Sequence, residues 1–351
     1  MNWLSDEAIA RLQAASALPD LAGTRYRLIE RVGSGGMGTV YLTEDSALGR
    51  RVALKVIDLP ELRADLSARL LREAQILARL EHPGIVPVHD AGTLPDGRVF
   101  YAMKFVEGER LDILAKRIEA LPDRLRVFQR ICEAVAFAHA HGILHRDLKP
   151  ENVMVGPFGE VLVMDWGVAK ILREDQTRRE DHTGIPTESS QNAPTETKPV
   201  KTAHGTVLGT AGYMAPEQAR GEIDSLDERA DIYSLGAILR FLLSGKQPAA
   251  GEKQLTRLNN ESAPLAAAGS APKAVAAISQ KAMAEDRASR YASVSDLASD
   301  IARYLDGSPV SAYPESVFQK AGRWATRYRV AIGLVLAYLI VRALLLFLPR
   351  R

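Results

Sequence analysis

The run His145-Arg146-Asp147-Leu148-Lys149-Pro150-Glu151-Asn152 is followed, 18 residues after Asp147, by Asp165-Trp166-Gly167. Far upstream stands Val32-Gly33-Ser34-Gly35-Gly36-Met37-Gly38-Thr39-Val40, with glycines in the order G-x-G-x-x-G-x-V. Glycine permits positive φ and lets backbone N–H groups come close to phosphate oxygens. Seventeen residues beyond Gly38 comes Val52-Ala53-Leu54-Lys55-Val56. A lysine in an apolar strand is costly unless it meets an anion. Each of these also has a bland reading when taken singly. The glycines fit a hairpin with no ligand, Lys55 fits a surface position on an edge strand, and Glu73 fits a solvated helix charge. Glu73 gains its weight as a partner for Lys55.

The elements that would carry these groups change period along the chain. Residues 4–18 read as a short amphipathic helix, with Leu4, Ala8, Ile9 and Leu12 on one face. Tyr26–Val32, Val40–Thr43 and Arg51–Ile57 read as strands, and residues 61–80 return to a helical period. Val86–His89, Val99–Phe105 and the short run Val153–Val155 read as strands again. From residue 111 helices dominate, at 123–141, 229–244, 271–284 and 293–305. Because Val40-Tyr41-Leu42 continues as a strand, the glycine run belongs to a hairpin flap. A dinucleotide-binding turn would instead open a helix. A small strand-rich part followed by a larger helical part is an α+β pattern with two lobes.

The bulk numbers exclude several classes. Of 351 residues 46% are hydrophobic, ample for two cores joined at a cleft. Charges nearly balance, 45 basic against 43 acidic, so net charge does not point to nucleic acid. The single cysteine, Cys132, permits no intramolecular disulfide and reads as a buried structural thiol. The N-terminus carries acidic residues and lacks the apolar run of a secretory signal.

Taken in order, these motifs resemble the eukaryotic-like (Hanks-type) protein kinases, most closely their bacterial serine/threonine members. The resemblance runs through the glycine-rich loop, Ala53-Leu54-Lys55, Glu73, the 145–152 run and Asp165-Trp166-Gly167. It continues through Gly209-Thr210-Ala211-Gly212-Tyr213-Met214-Ala215-Pro216-Glu217, Asp231 and Arg290. It implies a bilobed kinase domain over 26–306, with an N-lobe at 26–106 and a C-lobe at 107–306. The activation segment spans 165–217.

By that resemblance Asp147 accepts the substrate hydroxyl proton and Lys149 steadies the transferring phosphate. Lys55 holds the α- and β-phosphates of ATP with Glu73 fixing it. Asn152 and Asp165 bind Mg²⁺, with Mn²⁺ as the alternative ion. Gly33, Ser34, Gly35, Gly36, Met37 and Gly38 cover the phosphates. Adenine sits against Val32, Val40, Ala53 and Met154. Met103 lies at the mouth of a hinge, Lys104-Phe105-Val106, that bonds adenine through its backbone. Lys149 and Thr210 match the serine/threonine form, so protein Ser and Thr hydroxyls are the expected substrates. Glu217 and Arg290 are expected to form a buried ion pair, and Asp231 to anchor the catalytic loop from a helix end. A nucleotide-binding pseudokinase scaffold and a small-molecule phosphotransferase are the rivals; the complete polar set argues against the first and Gly209–Glu217 against the second.

Two departures stand out. Trp166 replaces the usual phenylalanine; the position needs a large apolar ring, which tryptophan supplies. Asp165 and Ala215 lie 50 residues apart, the excess falling in a polar stretch, 173–207, that cannot bury enough surface to offset its ordering entropy. It offers Thr177, Thr183, Thr187, Ser189, Ser190, Thr195, Thr197, Thr202 and Thr206 as phosphate acceptors. Autophosphorylation is expected within 195–210, foremost at Thr202 and Thr206, with Arg146 to clasp the phosphate and self-association to permit reaction in trans. His139, His141 and His145 lie close together, but no cysteine or carboxylate completes a zinc set.

After a juxtamembrane linker at 307–329, residues 330–348 are apolar except for Arg342. Nineteen helical residues reach about 28 Å, close to the hydrocarbon thickness of a bilayer. The expectation is a single-pass transmembrane helix in the cell membrane, with the kinase side cytoplasmic because it needs ATP. That leaves three residues beyond the bilayer and no room there for a sensor domain.

Overall fold

The computed structural model describes residues 18–35, 38–57, 71, 74–75, 77–166, 212–222, 225–248, 272–314, 333–340 and 342. The N-terminal helix at 4–18, Glu73, most of the activation segment and most of the 330–348 run lie outside them.

Strands β1 (Tyr26–Gly35), β2 (Gly38–Asp45), β3 (Arg50–Val56), β4 (Val88–Thr93) and β5 (Val99–Lys104) form an antiparallel sheet in the order β1-β2-β3-β5-β4. Side chains alternate across a strand, and β3 shows what that does here. Val52, Leu54 and Val56 bury on the outer face with Tyr26, Tyr41, Phe100 and Ala102. Ala53 buries on the opposite face with Val86, Met103, Val106 and Leu162. Lys55 shares its face with Ala53, so the alternation turns its ammonium toward the interlobe cleft.

The β1–β2 hairpin closes with Gly35 opposite Gly38. This is the strand continuation expected after the glycine run. Gly38 has φ 147°, and a Cβ placed there would sit 2.1 Å from the Val56 carbonyl oxygen, so only glycine lets β2 leave the turn against β3.

One strand is displaced from expectation. The run Val86–His89 was expected to be a strand, but the ladder occupies Val88–Thr93. Pro87 has no N–H to contribute; its carbonyl instead accepts the N–H of Lys104 at 3.1 Å. Ile85 and Val86 turn away to a parallel bridge with Val163, Val86 N–H reaching Val163 O at 3.2 Å. This stitches the two lobes together beside the cleft.

The second lobe is helical. Helix α1 (Leu111–Leu114) is followed by α2 (Leu121–Ala140), which buries Leu125, Phe128, Ile131, Cys132, Val135 and Ala138 at helical spacing. A short α3 (Pro216–Ala219) precedes α4 (Glu228–Ser244). Helix α4 buries residues all round, is capped at its start by the Asp227 carboxylate on Arg229 N–H, and stops at Gly245, φ 69°. Helices α5 (Lys273–Ala282) and α6 (Val294–Leu305) pack on it, α6 opening with a Ser293–Asp296 capping box. Strands β6 (Glu109–Arg110), β7 (Val153–Val155) and β8 (Val161–Val163) make a small sheet under the cleft. Of these, β6 and β8 had no expectation attached to them. Cys132 is fully buried, and burial pushes its thiol pKa far up, as a structural thiol requires.

No helix among the described residues is long and apolar enough to cross a membrane. Residues 333–340 are helical, and Leu334, Val335, Leu336, Tyr338, Leu339 and Ile340 on them are exposed.

Candidate active site

Three segments deliver the polar groups to one place. From β3, Lys55 donates to Asp165 Oδ1 at 2.6 Å, across 110 residues of sequence. The ammonium is buried. Burial lowers its pKa, but the neighbouring Tyr101 and Asp165 side chains raise it by more, so it stays charged. Asp165 follows β8 and takes φ 55°, a left-handed conformation rare for a residue with a side chain. Trp166 holds that turn. Its indole N–H donates to Val163 O at 3.2 Å, and its ring packs 4.7 Å from that of His145. The large ring expected at this position is therefore buried, and it carries a hydrogen bond that phenylalanine cannot make.

The catalytic run forms a loop between α2 and β7. Lys149 donates to Asp147 Oδ2 at 2.9 Å. Asn152 Nδ2 donates to the Asp147 carbonyl at 2.8 Å and to its Oδ2 at 3.3 Å. The Asn152 carbonyl accepts Met164 N–H at 2.8 Å, which ties this loop to the strand that carries Asp165. Asp147, Lys149 and Asn152 are thus mutually fixed, beside the Lys55–Asp165 pair.

Beneath them lies a buried support. Asp231, on the first turn of α4, accepts the N–H of His145 at 2.7 Å and of Arg146 at 2.8 Å. Burial raises the pKa of its carboxyl, but the hydrogen bond from His139, the two neighbouring histidine rings and the His145 amide outweigh that and hold it below the usual range. Arg146 has φ 64°, a strained conformation that these bonds stabilise. His145 Nδ1 accepts Asp147 N–H at 3.3 Å, so its Nε2 carries the proton that goes to Met164 O at 2.9 Å. Its ring is therefore neutral, in keeping with a pKa that burial lowers. His139 contacts Asp231 at 2.8 Å and His141 contacts Phe137 O at 2.8 Å. Each of the three histidine rings has a protein partner, although Nδ1 of His139 is buried without a hydrogen bond. Glu217 and Arg290 pair bidentately at 2.7 and 2.9 Å, both fully buried.

Other expected residues fall as follows. Val40, Phe105 and Met154 pack against the cluster of Ala53, Met103 and Val106, which forms an apolar wall on the cleft side of the sheet. Val32 stands outside that cluster, half exposed on β1. Gly33 and Ser34 lie in β1 and Gly35 ends it; Gly36 and Met37 lie outside the described residues. The Lys104 N–H is spent on Pro87, so this amide is not a donor for adenine. Three contacts escaped the sequence. His139 on Asp231 and Gln218 Nε2 on Arg146 O, 2.6 Å, join distant segments and leave no local trace. Tyr101, directly opposite Lys55 in the β3–β5 ladder, was legible in principle from strand alternation.

Comparison with known proteins agrees with this geometry. The protein kinase domain family matches residues 26–303. The serine/threonine-protein kinase PknD of Protochlamydia amoebophila is 39% identical over 309 residues, 80% of this chain and 30% of the relative. PknD of Chlamydia felis is 37% identical over 334 residues, 88% and 34% of the two chains. The chain thus spans about a third of the length of these curated relatives. The crystal structure of the Mycobacterium tuberculosis PknI kinase domain superposes with a TM-score of 0.58 at 26% identity, covering 82% of this chain and 99% of that one. The chain belongs to the protein kinase family. Within it, it is a bacterial Hanks-type protein kinase.

The donor set fits a divalent ion. Asn152 and Asp165 offer oxygen atoms of the hard class that Mg²⁺ prefers, and the loop tie through Met164 N–H holds them on adjacent segments.

Proposed function

We propose that this chain transfers the γ-phosphoryl group of ATP to serine and threonine hydroxyls of proteins. The observation that carries the reading is the convergence of Lys55, Asp147, Lys149, Asn152 and Asp165 on one cleft. Phosphoryl transfer asks the protein mainly for positioning and charge neutralisation, and these groups supply both. Lys55 would hold the α- and β-phosphates. Asp147, steered by Lys149 and Asn152, would accept the hydroxyl proton. Lys149 would then face the transferring phosphate. Bound Mg²⁺, on Asn152 and Asp165, would neutralise charge on the phosphate oxygens. Adenine would lie on the Ala53, Val40 and Met154 surface, against the backbone of residues 104–106. The alternative of a pseudokinase scaffold would need a gap in this set, and none of the five is missing. The test is an assay of mixed protein and peptide acceptors against small metabolites with γ-labelled ATP. Label on phosphoserine or phosphothreonine supports the reading; label confined to metabolites refutes it.

We further propose that the chain autophosphorylates between 195 and 210, that molecules meet to do so in trans, and that residues 330–348 anchor it in the cell membrane with the kinase side cytoplasmic. The acceptor-rich composition of 173–207 and the apolar run 330–348 support these readings. Mass spectrometry of ATP-treated protein, and membrane fractionation of the full chain against one lacking 330–348, test them.

A further inference from the structure

We propose that Gln218 is a positioning residue for Asp147, its side-chain amide holding the carbonyl of the peptide that leads into that carboxylate. The proposal deepens the reading above, since it rests on Asp147 accepting the substrate hydroxyl proton.

Asp147 follows Arg146, whose φ of 64° sets the direction in which the chain enters the catalytic position. Hydrogen bonds grip the backbone on both sides of the Arg146 Cα. Ahead of it, Asp231 accepts the Arg146 N–H at 2.8 Å. Behind it lies the Arg146–Asp147 peptide. The N–H of that peptide donates to His145 Nδ1 at 3.3 Å, and its carbonyl accepts Gln218 Nε2 at 2.6 Å. A carbonyl has no hydrogen to give, so the Gln218 amide turns its NH₂ toward it. Gln218 is buried, so little water competes for the bond.

Gln218 can hold this peptide because its own helix is anchored. Its neighbour on α3, Glu217, is fixed by the buried pair with Arg290 at 2.7 and 2.9 Å. Arg290 also donates from Nε to Ala284 O at 2.7 Å and from Nη1 to Arg229 O at 2.9 Å. Arg229 lies on α4, the helix that carries Asp231. The two supports of the strained residue, Asp231 on its N–H and Gln218 on its carbonyl, thus belong to one buried frame. Rotation of the Arg146–Asp147 peptide would swing the Cα of Asp147 and its carboxylate with it. In-line attack tolerates little of this, since a misplacement of about 1 Å can cost about a hundredfold in rate.

The experiment uses the full chain, as wild type, Gln218→Met and Gln218→Glu. Methionine keeps the length of the side chain but has no donor; glutamate keeps the shape and sets an acceptor against the carbonyl. The first readout is steady-state kinetics with peptide and ATP–Mg²⁺, at a temperature where each protein is folded. Loss of the hydrogen bond predicts kcat lowered about five- to tenfold in Gln218→Met and further in Gln218→Glu, with the KM for ATP unchanged. A merely structural role would lower thermal stability and leave the kcat of the folded enzyme intact. The second readout is the peptide itself. Arg-Asp occurs in the chain only at Arg146–Asp147, so isotope labels in arginine carbonyl carbon and aspartate nitrogen give a single carbonyl–amide NMR signal. A carbonyl carbon moves upfield when it loses a donor, so this signal should shift upfield in Gln218→Met. The proposal requires both changes: an unmoved signal, or a wild-type kcat, overturns it. If Gln218→Met does not fold, Gln218→Glu is read in the same two ways. If wild type transfers no phosphate to peptide, the reading of the function fails instead, while the carbonyl signal still reports whether Gln218 holds the peptide.

Discussion

Asp231 accepts the backbone N–H of Arg146 at 2.8 Å, from 85 residues further along the chain, and Arg146 is one of the non-glycine residues with positive φ. The anchor and the strained residue are thus a single device. The loop bearing Asp147 leaves α2 in a conformation it would not choose, and a buried carboxylate on α4 holds it there.

Asp231→Asn should therefore damage both stability and catalysis. The amide can present only one acceptor oxygen to two N–H donors and turns an NH₂ toward the other. The expected loss is about 3 kcal/mol, read by urea unfolding, with a fall in kcat larger than any change in the KM for ATP. An unchanged kcat in correctly folded protein would show that the loop holds its shape without the anchor.

Trp166→Phe keeps an aromatic ring against His145 but removes the indole N–H that bonds Val163 O. The stability loss should be small, about 1 kcal/mol. Freed at its side chain, the Asp165 turn should sample other conformations, so activity should fall several-fold and the Mg²⁺ concentration for half-maximal rate should rise. Equal Mg²⁺ dependence in both proteins would argue that the indole bond does not hold Asp165.

Arg290→Met leaves the Glu217 carboxylate buried without its bidentate partner. The cost should be about 3–5 kcal/mol. Hydrogen bonding to Arg290 keeps Glu217 below the ordinary carboxylate range against the effect of burial; without that partner burial raises it instead, so the stability gap between wild type and the variant should narrow as pH falls through the carboxylate range. The double variant Glu217→Met/Arg290→Met should recover much of the loss, and unfolding curves of the four proteins form the cycle that measures it.

His145 is buried and neutral, with burial lowering its pKa. The unfolded chain therefore binds a proton that the folded one refuses. The neutral ring's contribution is full above about pH 6.5, the ordinary histidine value, and is lost as pH falls toward the lower folded value. Unfolding free energy should decline with acidification in that window. His145→Asn should show a slope smaller by about one proton; an identical slope would mean that another group dominates.

Much of the site was legible because its residues are chemically conspicuous. Lys55 stands alone in an apolar strand, and the alternation that turned it to the cleft follows from Val52, Leu54 and Val56 being apolar on the other face. Asp231 and the Glu217–Arg290 pair were expected, and their bonds are in place. What was not legible depends on contacts across the fold. Nothing local marks His139 as a partner for Asp231, or Gln218 for Arg146. Strands β6 and β8 are too short to show a period. Pro87 moved β4 onward by removing a donor where a strand was expected to begin. The role of the Trp166 indole N–H depends on where Val163 O points, which only the folded turn defines.

The central claim is that the polar groups around Asp147 carry out phosphoryl transfer. The most direct measurement is transfer of labelled γ-phosphate to a serine or threonine peptide by wild type and Asp147→Asn, alongside nucleotide binding by both. Removal of the proton acceptor should cost about 10²–10⁴-fold in kcat while ATP–Mg²⁺ affinity is kept. Transfer by Asp147→Asn at the wild-type rate, or no transfer by wild type while ATP–Mg²⁺ still binds, would contradict the account.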